Sequence, residues 1–98
     1  YYNVHDLPMK TYHYIVKGYV QGVAFRYYTR QTADHHDIKG TVKNLHNGDV
    51  EIYAQASDEN IEQFETFLET GPPAARVHQL IKNEIEQQHR FTRFDVIF

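Results

Sequence analysis

The sequence predicts an α+β fold: two helices packed on one face of a mainly antiparallel sheet, in the order β-α-β-β-α-β with a short additional C-terminal strand. Three observations carry this. Apolar residues switch between a period of two and spacings of three and four, which sets the order of strands and helices. An Asn-Gly pair, Asn47-Gly48, joins the second and third extended stretches. Finally, 98 residues, of which 41% are hydrophobic, suffice for one core and not two.

Residues 1–8 show neither alternation nor a helical period and end at Pro8, and Met9-Lys10 reads as a start. The domain is therefore expected over 9–98, with Tyr1 to Pro8 a flexible arm, native or appended, that carries no chemistry. Tyr12 to Val20, rich in β-branched and aromatic residues, reads as the first strand, and Gly18 to Ala24 as a glycine loop behind it. Phe25, Tyr28, Thr29, Thr32, Ala33 and His36 recur at spacings of three and four and mark the inner face of a first helix. Tyr28 is thus expected in the core. Ile38 to Leu45 and Val50 to Ala56 form strands two and three, and Asn47-Gly48 offers the two positive φ values of a type I′ turn.

Ser57 suits an N-cap, and Asp58 and Glu59 place negative charge at the positive end of a second helix. Ile61, Phe64, Phe67 and Leu68 form its buried stripe. Gly71 ends it, and Pro72-Pro73 prevents continuation. Val77 to Ile85 alternates as a fourth strand, and Phe94, Val96 and Phe98 alternate in the last one.

Composition removes several classes of function. With no Cys there is no disulfide framework, thiolate metal site or Cys nucleophile. No apolar run approaches the ~18 residues of a membrane span, so a soluble cytoplasmic domain is expected. Thirteen acidic residues against ten Lys and Arg leave a net charge of −3, the reverse of what a nucleic-acid backbone attracts. Seven His invite a metal reading, but His35 and His36 are adjacent and point to different sides of a helix. No metal is expected.

The order of elements has a consequence for chemistry. In a split β-α-β unit, strands one and two run parallel with strand three between them, so their C-terminal ends emerge at one sheet edge. The loop Gly18 to Ala24 should therefore lie beside Asn44 and Leu45, where ligands of such sheets tend to sit. Glycines let that loop adopt positive φ and admit a close neighbour, and successive N–H groups there can form an anion-binding nest. The helix start behind it adds unpaired donors, and Arg26 offers a planar fork matching two phosphate oxygens. No Gly-Lys-Ser/Thr or G-x-G-x-x-G pattern follows, which disfavours a nucleotide. Asn44 carries a carboxamide able to accept from one partner and donate to another, or simply to bond its own backbone. His46 reads as a turn residue, and Tyr19 or Tyr27 as a wall at the mouth of the site.

Gly-x-Val-Gln-Gly-Val-x-Phe-Arg at Gly18 to Arg26 resembles the acylphosphatase signature at every defined position. Gly-x-Val-x-Asn-x-x-x-Gly-x-Val-Glu at Gly40 to Glu51 is similar to the second segment of that family, and the resemblance spans about Met9 to Phe98. It implies a ferredoxin-like sandwich that hydrolyses the carboxyl-phosphate bond of small acyl phosphates to a carboxylate and inorganic phosphate, without metal or organic cofactor. It also implies roles. The loop Val20, Gln21, Gly22, Val23, Ala24, Phe25 and Arg26 would cradle the phosphoryl oxygens, Arg26 would bind the phosphate, and Asn44 would position the attacking water. Partners beyond the substrate are not expected, and a monomer is.

The chemistry accepts these roles. An acyl phosphate already has a good leaving group, so positioning and charge stabilisation are the main tasks left to the protein. Asn is no strong base, so the water proton is expected to pass to the substrate phosphate or to bulk water. Two other classes compete. A regulatory domain of the same fold could bind a phosphorylated metabolite without turnover. An RNA-binding sheet would stack bases on exposed aromatics such as Tyr12, Tyr14, Tyr19 or Tyr53, but the Lys/Arg-Gly-aromatic-Gly-aromatic segment it needs is absent.

Overall fold

In the computed structural model, which describes residues 9–86 and 89–98, five strands form one sheet in the order β4-β1-β3-β2-β5. They are β1 (Lys10–Tyr19), β2 (Lys39–Asn44), β3 (Val50–Ala56), β4 (Arg76–Ile85) and β5 (Phe94–Ile97). Helices α1 (Phe25–His35) and α2 (Asp58–Thr70) complete the predicted order. The expected arm at 1–8 lies outside the described residues.

β1 and β2 each pair antiparallel with β3, so they run parallel to one another with β3 between them, as the split β-α-β reading requires. β5 joins β2 in parallel at the sheet edge, pairing Val42 with Val96. Alternation decides which side chains face the helices. Along β1, Tyr12, Tyr14 and Val16 are buried, whereas His13, Ile15 and Lys17 are only half-buried on the other face. Tyr14, Phe64 and Phe94 meet edge-on, with ring centroids 6.3 and 6.1 Å apart along the chain of contacts, and knit sheet to helix. Gly40 is required by backbone proximity: a Cβ there would lie 1.8 Å from the Tyr53 carbonyl oxygen, and its φ is +150°.

Four details differ from expectation. The turn between β2 and β3 is not type I′, because only Gly48 has positive φ (97°) while Asn47 does not. Asn47 is held instead by its own side chain, whose Oδ1 accepts from the Asp49 N–H at 3.0 Å while its Nδ2 donates to Asp49 Oδ2 at 3.2 Å. The Gly48 N–H donates to the Leu45 carbonyl, and the Leu45 N–H to the Asp49 carbonyl, giving a three-residue connection. Tyr28 is exposed rather than in the core. Phe25, Thr29 and Ala33, spaced by four, form the buried stripe, and Tyr28 sits off it against Tyr27. Ser57 is the N-cap residue of α2 in position, yet its side chain makes no cap hydrogen bond. The strand bounds move slightly, β1 beginning at Lys10 and β4 at Arg76.

Tyr12 and Tyr14 are covered by α2. Their hydroxyls donate to Asp58 at 3.0 Å and Glu65 at 2.6 Å, so neither ring is available on the open sheet face for base stacking. Burial, reinforced by the Asp58 carboxylate, pushes the Tyr12 hydroxyl up to about 12, and burial beside Glu65 raises Tyr14 further. The unfolded chain releases these protons near pH ~10, while the folded chain keeps them. The stability they contribute is whole below that pH and is lost as pH rises above it. Urea unfolding is therefore expected to shift to lower midpoints from about pH 10 upward, with a shallower shift in Tyr14→Phe. An equally steep fall in that variant would refute the assignment.

Candidate active site

The loop between β1 and α1 leaves its strand through a register shift at Lys17/Gly18 and turns at Gly22, whose φ is +76°. Ala24 follows in the left-handed region at φ 60°, ψ 26°, as the N-cap residue of α1. A non-glycine residue there is uncommon and costs on the order of 1 kcal/mol, which the surrounding structure sustains. The first helical bond runs from the Tyr28 N–H to the Ala24 carbonyl at 3.1 Å. Among the described residues, the main-chain N–H groups of residues 21–27 donate to no acceptor. Those of Phe25, Arg26 and Tyr27 are open by helix geometry, and those of residues 21–24 because the turn carries them past any carbonyl.

Five of the residues that carry these donors, Gly22, Ala24, Phe25, Arg26 and Tyr27, border a cavity of about 410 Å³. Val20, Gly22, Ala24, Phe25 and Arg26 line it from the loop and helix, Asn44 from the end of β2, and Asp95, Val96 and Phe98 from β5. Two predicted loop residues do not line it. Val23 packs partly against the core, and the Gln21 side chain turns away to the β2–β3 hairpin. Tyr27 lines the cavity and Tyr19 does not.

Arg26 sits in the first turn of α1, half-buried. Its guanidinium lies 4.8 Å from the centroid of the Phe98 ring and reaches the Ile97 carbonyl at a long 3.4 Å. No carboxylate neutralises it within ion-pair distance among the described residues, so its charge faces the cavity. Arg30, one turn along, shares the wall and makes a loose, exposed pair with Asp34 at 3.9 Å. Asp95 is engaged by Arg93 at 2.9 Å.

Asn44 is half-buried, and its Oδ1 is buried with no hydrogen-bond partner among the described residues. A buried amide oxygen left unpaired costs free energy, and such exceptions concentrate where a protein must bind something else. His46 is exposed in the hairpin turn and lines no part of the cavity. Among the described residues, no three His, Asp or Glu side chains gather as a metal site would need, and no helix is long and apolar enough to cross a membrane.

Sequence reasoning missed Arg30 and the β5 wall. The i, i+4 spacing from Arg26 signals the first. Nothing local signals the second, because β5 reaches the site only by pairing with β2 across the chain. Taken together, the cavity has open N–H donors and a guanidinium on one side and Asn44, with its unpartnered side-chain oxygen, on the other. That arrangement suits a tetrahedral oxyanion with a water beside it.

Comparison with known proteins points the same way. The acylphosphatase family profile matches residues 12–96. The chain is 43% identical over 83 residues to an acylphosphatase of Pasteurella multocida, covering 85% of this chain and 92% of the relative. It is 45% identical over 85 residues to one of Listeria monocytogenes, covering 85% and 90%. The crystal structure of acylphosphatase from Bacillus subtilis superposes with a TM-score of 0.87 at 32% identity, covering 91% of this chain and 99% of that one.

Proposed function

Because this chain belongs to the acylphosphatase family, we propose that its hydrolysis of the carboxyl-phosphate bond is carried by Arg26, the main-chain amides of 20–26 and Asn44. The chain is an enzyme acting on small acyl phosphates. A single observation supports the residue roles: Arg26, the acceptor-free loop and Asn44, whose buried side-chain oxygen has no partner among the described residues, meet at one cavity.

The step follows from that geometry. Loop amides and the Arg26 guanidinium take the phosphoryl oxygens, the amides as fixed dipoles and the guanidinium as a two-pronged donor. Asn44 Oδ1 accepts a hydrogen bond from a water held opposite the acyl oxygen. The water oxygen bonds to phosphorus as the bond from phosphorus to the acyl oxygen breaks, and the bonding pair leaves with the carboxylate. The water proton passes to a phosphoryl oxygen or to bulk solvent. Charge on the equatorial oxygens in the transition state meets donors already in place, so little reorganisation is needed. The acyl group extends toward Tyr27, Val96 and Phe98, which supply apolar surface to the wall. Action as a monomer in the cytoplasm belongs to this reading, and the cysteine-free composition is compatible with that compartment.

A sensor that binds without turnover would use the same amides and Arg26 but would have no use for Asn44. Incubation with benzoyl phosphate in the presence of a chelator separates the two. Rapid release of benzoate and phosphate is expected. Tight phosphate binding with no release would overturn the residue roles.

A further inference from the structure

Gln21 faces away from the cavity, yet its side chain is among the most fully used in the loop. Its Nε2 donates to the Leu45 carbonyl at 2.7 Å and to the Asp49 carbonyl at 2.8 Å. Those two carbonyls belong to the pair of residues that closes the β2–β3 connection, where the Leu45 N–H meets the Asp49 carbonyl at 2.8 Å. Leu45 directly follows Asn44 in the chain. Asp49 is itself locked, its Oδ2 accepting from Lys17 Nζ at 2.7 Å and from Asn47. One carboxamide thus ties the loop that carries the open amides to the strand end that carries Asn44.

A primary amide nitrogen is suited to this place. It brings two N–H groups in one plane, and the paired carbonyls take one each. Glu has the same shape but no donor, and its charge would face two carbonyl oxygens. Met has the length and neither property. Among the described residues, Val20, Gly22 and Ala24 make no main-chain hydrogen bond to the hairpin.

We infer that Gln21 is a positioning residue, whose side-chain amide sets the distance between the phosphate-binding amides and the water-orienting Asn44. The inference rests on the roles proposed above for the loop and Asn44. A misplacement of about 1 Å in such a pair costs up to about 10²-fold in rate. Because Gln21 acts through Asn44, its removal should matter only while Asn44 is present.

The test is a double-mutant cycle on the whole chain with benzoyl phosphate, comparing wild type, Gln21→Met, Asn44→Ala and the pair. Gln21→Met is expected to lower kcat by about 10- to 100-fold while the inhibition constant of inorganic phosphate changes by less than about threefold. In the Asn44→Ala background the same substitution should change kcat by less than about twofold. Losses that simply multiply, or a matching loss of phosphate affinity, would overturn the inference while leaving Asn44's role intact. If Asn44→Ala keeps full turnover, both the inference and the water-positioning role fall. Should Gln21→Met not fold, Gln21→Glu runs the same cycle, and failure of both to fold would make the link a folding contact and overturn the inference.

Discussion

Arg26→Ala is expected to lower kcat/KM toward benzoyl phosphate by at least about 10³-fold and to abolish competitive inhibition by inorganic phosphate. The reason is electrostatic. Within the proposed site, Arg26 sits in the same helix turn as the open amides, and among the described residues no carboxylate lies within ion-pair distance of it. A guanidinium contributes to ground-state binding and more strongly to the transition state, where charge accumulates on the transferring oxygens. Arg26→Lys keeps the charge but loses the fork, so it should recover only part of the loss. Stability should change little, because the side chain's protein contacts are the long bond to Ile97 and the Phe98 ring. An alanine variant still inhibited by phosphate at wild-type concentrations would remove Arg26 from the site.

Asn44→Ala should act differently. A drop in kcat of about 10²- to 10³-fold with KM nearly unchanged is the pattern of a contact made with the attacking water rather than with the bound phosphate. Its fold should be as stable as the wild type or slightly more so, since the variant deletes a buried oxygen that no described group satisfies. Asn44→Asp keeps the shape while adding a charge beside a dianion, and it should raise KM as well. A KM rise in Asn44→Ala equal to its fall in kcat would show that the residue binds the ground state and does not orient water.

Much of the proposed site is legible in the sequence. The spacing of Gly18, Gly22 and Arg26, followed by Gly40 and Asn44, is local information. Glycine marks where backbone must turn or touch, and Arg26 follows a helix start whose position periodicity reveals. The hairpin shows the boundary of such reading. Asn-Gly correctly marks a turn, but its type was set by the Asn47 side chain bonding Asp49, a competition that propensity does not rank. Tyr28 shows another boundary. Its spacing fits a broad helical face, and only the packing of α1 narrows the buried stripe to Phe25, Thr29 and Ala33.

The chain alone determined the order of strands and helices, and the arrival at one sheet edge of the two segments proposed to carry chemistry, because periodicity, glycine placement and right-handed crossover are rules of near neighbours. Tertiary structure alone decided that β5 walls the cavity, that the Asn44 oxygen is left unpartnered, and that Gln21 grips the hairpin instead of facing the cavity. These depend on which surfaces meet after the sheet closes. Contact between residues far apart in sequence leaves no periodic trace in either partner.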